Sequence, residues 1–167
     1  VQGLDSSADA AVFIGYHSRA GQPGVMSHSM TSGVRNFYIN DVVIGEFGLN
    51  AYVAGAYGVP VILVSGDDYI AREAKELIPG IETAVVKEAV SRSSAVAFSK
   101  SKAEKIIREK AALSLNHKQA AVLVPPEKTV LKIEFCNYGQ AEWAALVPRT
   151  KIIDETTVVF EAEDILE

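Results

Sequence analysis

The run Val61-Ile62-Leu63-Val64 ends in Gly66-Asp67-Asp68 and is followed at once by Ile70, Ala74, Leu77 and Ile78 at helical spacing. An unbroken, largely β-branched run of this length reads as a buried strand, and the spacing after it as one face of an amphipathic helix. A strand, a polar turn and a helix in direct succession commit the chain to α/β layering. Other segments agree. Ala11 to Tyr16 is a short apolar run that delivers a loop at Gly15, and Phe37 to Ile44 predicts a hairpin turning at Asn40-Asp41. Glu46 opens a helix to about Tyr57 that is rich in small residues (Gly48, Ala51, Ala54, Gly55, Ala56), which suits close packing. Ile81 to Val86 reads as a strand. Ser99 to Asn116 reads as the longest amphipathic helix, with Ala103, Ile106, Ile107, Lys110, Ala111 and Leu113 to Leu115 on one side. Beyond Pro125-Pro126, Val130 to Phe135 alternates, Gln140 to Leu146 is helical in pattern and Thr156 to Phe160 is strand-like. The expected architecture is therefore α/β: a three-layer-like core with parallel-type strands over residues 1–124, and a smaller α+β lobe over residues 125–167.

At 167 residues and 49% apolar composition, the chain can bury a substantial core. Its longest apolar runs, such as Val59 to Val64, fall far below the ~20 residues that span a bilayer, so no membrane role is expected. A net charge of -5 and a pI near 5.3 argue against a nucleic-acid partner. The lysines between Lys100 and Lys110 are interleaved with Glu104 and Glu109 and read as a solvated helix face. One cysteine, Cys136, in a strand-like setting, has no internal disulfide partner and fits a reducing compartment; nothing beside it in sequence would activate it as a nucleophile. The chain starts at Val1 and stops within what reads as a starting helix, Glu163 to Glu167, so both ends are expected to be cut.

Chemistry concentrates in one glycine-punctuated stretch holding His17, His28 and Glu46. Imidazole and carboxylate are the common first-row metal ligands and acid-base groups, which suggests a metal-dependent hydrolase. Each residue also has a plainer reading. His17 at a strand end could be a hydrogen-bonded structural residue, and Glu46 could simply favour the positive end of a helix, an effect of ~0.3–1 kcal/mol. His28, between Ser27 and Ser29 in an irregular segment from Ser18 to Gly33, is poorly explained by core packing and suits a mobile acid-base group. His117 reads as a cation at a helix end, and one of Asp67 and Asp68 as a helix N-cap. Gly21-Gln22-Pro23-Gly24 lacks the spacing of a phosphate loop, and Ser29-Met30-Thr31-Ser32-Gly33 lacks the setting of a nucleophilic serine.

Taken as ordered blocks, Gly15-Tyr16-His17-Ser18-Arg19-Ala20, Pro23-Gly24-Val25-Met26-Ser27-His28-Ser29-Met30, Phe37-Tyr38-Ile39-Asn40, Gly45-Glu46-Phe47-Gly48-Leu49-Asn50-Ala51, Gly66-Asp67-Asp68 and, later, Asn137-Tyr138-Gly139-Gln140-Ala141-Glu142-Trp143-Ala144 resemble the DppA-type zinc D-aminopeptidases. The resemblance runs from about Ala11 onward. It implies a two-zinc site that cleaves the N-terminal residue from short D-amino-acid peptides, with His17 and Glu46 as zinc ligands and His28 as the catalytic nucleophile or base. It also implies a cytoplasmic, ring-like homo-oligomer, a decamer. The family's Asp-x-Glu-Gly motif and a further upstream histidine are not in these 167 residues. The 167 residues alone are therefore expected to bind zinc weakly and to be inactive, as part of a longer enzyme or with the upstream part on another chain. A noncatalytic peptide-binding or assembly domain of the same fold is the competing expectation.

Overall fold

The structure, a computed structural model, describes residues 1–116 and 121–167. His117 lies outside the described residues. Among those residues the elements run β1 (Ala11–Tyr16), β2 (Val34–Ile39), β3 (Val42–Ile44), α1 (Glu46–Ala56), β4 (Val61–Asp67), α2 (Asp68–Leu77), β5 (Glu82–Ser91), β6 (Ser94–Ala97), α3 (Lys100–Asn116), β7 (Thr129–Phe135), α4 (Tyr138–Ala144), β8 (Lys151–Ile152) and β9 (Thr157–Ala162). Among the described residues no helix is long and apolar enough to cross a membrane.

The first sheet has the order β1-β4-β5-β6, with β1, β4 and β5 mutually parallel and β6 antiparallel at the edge. All seven residues of β4 are buried, as a central parallel strand covered on both faces must be. Phe47, Ala51 and Ala54 of α1 and Ile70 and Ala74 of α2 form one core cluster with Phe13, Val61 and Val64. Helix α3 packs against β5 and β4 without entering that cluster, and so covers the other face, giving the expected three layers. Its inward stripe runs through half-buried Ala103, Ile106, Ile107, Lys110 and Ala111 to the buried Ser114, whereas Leu113 and Leu115 are exposed. The 3.6-residue period carries the stripe through Ser114 and turns the two flanking leucines outward.

The second sheet, β3-β2-β7-β9-β8, is wholly antiparallel and draws strands from both sides of the 124/125 boundary expected from Pro125-Pro126. Its apolar pairs line up across three strands: Phe37 opposite Ile133 opposite Val158, and Ile39 opposite Leu131 opposite Phe160. Tyr52 and Leu49 of α1 face this second cluster while Phe47 and Ala51 face the first, so α1 is wedged between the sheets. That position explains its small residues. A side chain at Gly48 would come within 2.8 Å of Ile44 and 3.1 Å of Leu77.

The hairpin β2–β3 turns at Asn40 (φ 47°) and Asp41 (φ 66°), two left-handed residues in succession as a type I′ turn requires. The Asn40 side chain accepts from Val130 N–H and donates to the Lys128 carbonyl, tying the turn to β7. Strands β6 and β8 were not expected from the sequence. Both are exposed along their whole length, so no alternation marks them. Cys136 follows β7 rather than lying within it, and is exposed.

Candidate metal centre

Strand β1 delivers His17 at its carboxyl end, the edge at which parallel sheets present ligands. Gly15, at φ +77°, shifts the β1–β4 register between Phe13 and Tyr16 and donates its N–H to Ser65 Oγ at 3.0 Å. This local bend, which a side chain at residue 15 would strain, sets the direction in which His17 leaves the sheet. The β2–β3 hairpin and Gly45 place Glu46 in the first turn of α1.

His28 comes from the segment between β1 and β2, which has no regular structure but many anchors. Ala20 N–H donates to the buried Ser29 Oγ at 3.1 Å, and Val25 N–H donates to Asp67 Oδ2 at 2.7 Å. Asp67 is fully buried, and its other oxygen accepts from Tyr69 and Ile70 N–H as the N-cap of α2. The cap expected from the sequence is therefore also the post to which the His28 loop is tied. Gly24 packs so close that a side chain there would reach 2.9 Å from Asp67 Oδ2. Met26 (φ 55°) and Met30 (φ 60°) hold left-handed conformations on either side of His28, a local strain the surrounding bonds must maintain.

These three segments bring His17, His28 and Glu46 together, with one ligand atom from each lying within 4.8 Å of the others. The two imidazole rings stack with centroids 3.9 Å apart. His17 Nδ1 lies 3.0 Å from the Ser18 carbonyl and His28 Nδ1 lies 2.7 Å from the Met26 carbonyl. A carbonyl can only accept, so both Nδ1 atoms carry hydrogen and both Nε2 atoms are left to face Glu46. His17 Nε2 is 3.7 Å from Glu46 Oε2 and His28 Nε2 is 3.9 Å from Oε1. Those separations are too long for hydrogen bonds. Glu46 Oε2 is buried with no hydrogen-bond partner, a costly condition for a carboxylate oxygen. Two ligands each ~2.0–2.2 Å from a tetrahedral zinc sit roughly 3.3–3.6 Å apart, close to the spacing seen. Two imidazole nitrogens and a carboxylate with one orphaned oxygen, converging at distances too long for hydrogen bonds, fit a divalent cation.

The surroundings are supportive. Tyr16 donates its ring to a stack on Phe13 and its hydroxyl accepts from Asn50 at 2.9 Å. Burial pushes its phenol above the usual range, the Asn50 bond opposes this and Glu46 adds to it, so Tyr16 is a neutral neighbour of the carboxylate. Glu73 accepts from Arg19 N–H at 2.9 Å, fixing the backbone just beyond His17. Arg92, between β5 and β6, donates from Nε to the Ser27 carbonyl and accepts at its own carbonyl from Met26 N–H. Arg92 and Glu73 lie far from the site in sequence and carry no local pattern, so reading the chain did not single them out.

The D-aminopeptidase family model (Peptidase_M55) matches residues 1–167. The chain belongs to the D-aminopeptidase family. It is 56% identical over 169 residues to a D-aminopeptidase of Bacillus subtilis (strain 168), an alignment covering all of this chain and 62% of that protein. Its structure matches that of the Zn-dependent D-aminopeptidase DppA from Bacillus subtilis, described as a self-compartmentalizing protease, with a TM-score of 0.96 at 56% identity, over 99% of this chain and 61% of the other. The chain thus spans about three fifths of the length of the D-aminopeptidases it matches. The expected family and the expected α/β fold are both found.

Proposed function

We propose that this chain carries part of the active site of a zinc-dependent aminopeptidase that removes the N-terminal residue from short D-amino-acid-containing peptides. In this reading two zinc ions occupy the site, and the working form is a cytoplasmic, ring-like homo-oligomer, a decamer. The observation that carries it is the Glu46 carboxylate, which faces His17 Nε2 with a buried, unpartnered Oε2 and His28 Nε2 with Oε1. A relative of high identity described as Zn-dependent and self-compartmentalizing supports both the metal and the assembly.

His17 and Glu46 are the zinc ligands in this reading, each on a regular element that fixes its direction. When bound, zinc supplies Lewis-acid polarisation of a peptide carbonyl and makes hydroxide available near neutral pH. His28 is the proton-transfer group. Its Nδ1–H is held by the Met26 carbonyl, so Nε2 can take a proton from the attacking water and return it to the departing amine.

A second reading rests on the number of donors. Among the described residues only His17, His28 and Glu46 group as ligands, fewer than a pair of zinc ions requires. A noncatalytic peptide-binding or assembly domain with an incomplete metal site would look the same in this region. The zinc content of full-length protein, measured with hydrolysis of matched D- and L-dipeptides, separates the two. Two zinc ions per copy with cleavage of D-dipeptides is the expected result. Bound zinc with no hydrolysis of any dipeptide would favour the noncatalytic domain, and absence of zinc would overturn the metal reading.

A further inference from the structure

A cavity of about 630 Å³ opens beside the metal cluster, with Gln22, Ser27, His28, Arg35, Arg92 and Cys136 in its wall. Two arginines therefore line a space that His28 also lines, in a chain of net charge -5. They are not equivalent. Arg35 is committed to Glu134, 3.1 Å away, in a pair that crosses β2 and β7. Arg92 has no carboxylate partner among the described residues. Its Nε–H donates to the Ser27 carbonyl at 2.9 Å, and its carbonyl accepts from Met26 N–H at 2.8 Å. These two bonds fix the residue against the loop, one position from His28. The terminal nitrogens of the guanidinium remain as a fork of donors.

Resting on the peptide-hydrolase reading above, we propose that Arg92 receives the C-terminal carboxylate of a short peptide whose N-terminal end lies at the His17–His28–Glu46 cluster. A guanidinium fork matches a carboxylate in two parallel hydrogen bonds, which a lysine or a neutral amide cannot reproduce. A dipeptide spans only roughly 7 Å when extended, so a cation held one residue from His28 is suitably close for its far end. Arg92 would select substrates by length and by a free carboxylate. Longer peptides would have to place an uncharged peptide unit where the carboxylate belongs.

Calorimetric titration of full-length, zinc-loaded protein with a non-cleavable D-dipeptide, and with the same compound as its carboxamide, tests this without relying on turnover. Wild-type protein should bind the free carboxylate about 10- to 100-fold more tightly than the carboxamide, the usual range for a charge-assisted bond. Arg92→Ala should reduce that ratio to near one, and Arg92→Lys should leave only part of it. Loosening of the His28 loop in the variants weakens both compounds alike and cancels in the ratio. A wild-type ratio near one, failure of wild type to bind either compound, or a preference that survives in Arg92→Ala would overturn the proposal. A preference that depends on Arg92 in protein that hydrolyses no dipeptide would uphold Arg92 and count against the hydrolase reading.

Discussion

Glu46 keeps one carboxylate oxygen buried without a partner, at the point where two histidine rings each turn Nε2 towards the carboxylate. At this scale the assigned roles differ and so do their consequences. His17→Ala should lower zinc content in the full-length protein, while His28→Ala should abolish turnover with zinc largely retained, as read by elemental analysis beside a dipeptide assay. Equal zinc loss in both would make His28 a ligand. Glu46→Gln preserves size and helix position, so a fall in zinc affinity of ~10-fold or more is expected if the carboxylate is a ligand. Unaltered zinc affinity would leave only the helix-end role. Glu73 gives a different signal. Burial is the main influence raising its carboxyl above the usual range, against the Arg19 N–H bond and charge, with Glu76 and Asp67 adding to the rise. A carboxyl raised in the fold contributes stability at low pH that is lost as pH rises through its folded value. Glu73→Gln, which can still accept from Arg19, should therefore gain stability relative to wild type as pH rises above 4.5, the ordinary glutamate value. Urea midpoints with a constant offset from acid to neutral pH would contradict this.

Among the elements, α2 and the loop around His28 are joined through one side chain. Asp67→Ala removes the cap of α2 and strands the Val25 N–H, costing about 1 kcal/mol for the cap and about 1–3 kcal/mol for the unsatisfied donor. Urea unfolding should show a loss of roughly 2–4 kcal/mol, and hydrogen exchange should quicken at Val25; a loss confined to α2 amides would separate cap from loop. At the β2–β3 turn, Asp41→Gly should be tolerated, whereas Asp41→Val should cost ~1–2 kcal/mol because a β-branched residue resists φ of 66°. The turn was legible because Asn-Asp is a local signal. So was β4, whose run of apolar residues needs no partner to be recognised. The cap at Asp67 was legible too, but its hold on Val25 was not, since 42 residues separate donor and acceptor. Strands β6 and β8 escaped for the opposite reason: exposed on every residue, they bury no apolar face that a pattern could mark.

Across the whole molecule, the layered parallel sheet supplies the edge from which His17 emerges, and α1 carries Glu46 between the two sheets. The pairing of β2 with β7, which joins the middle of the chain to its last third, depends on register rather than on any motif and could not be read in advance. The family blocks around His17, His28 and Glu46 were readable because chemistry restricts residue type and spacing there; their convergence to within 4.8 Å required the fold. Light scattering on the full-length protein should give an assembly several times the mass of one copy, and a monomer would contradict the proposed ring. The most direct test is zinc anomalous diffraction from crystals of the full-length protein. The account predicts an anomalous peak ~2.0–2.2 Å from both His17 Nε2 and a Glu46 carboxylate oxygen. Zinc bound elsewhere, with His17, His28 and Glu46 left clear of it, would contradict the account.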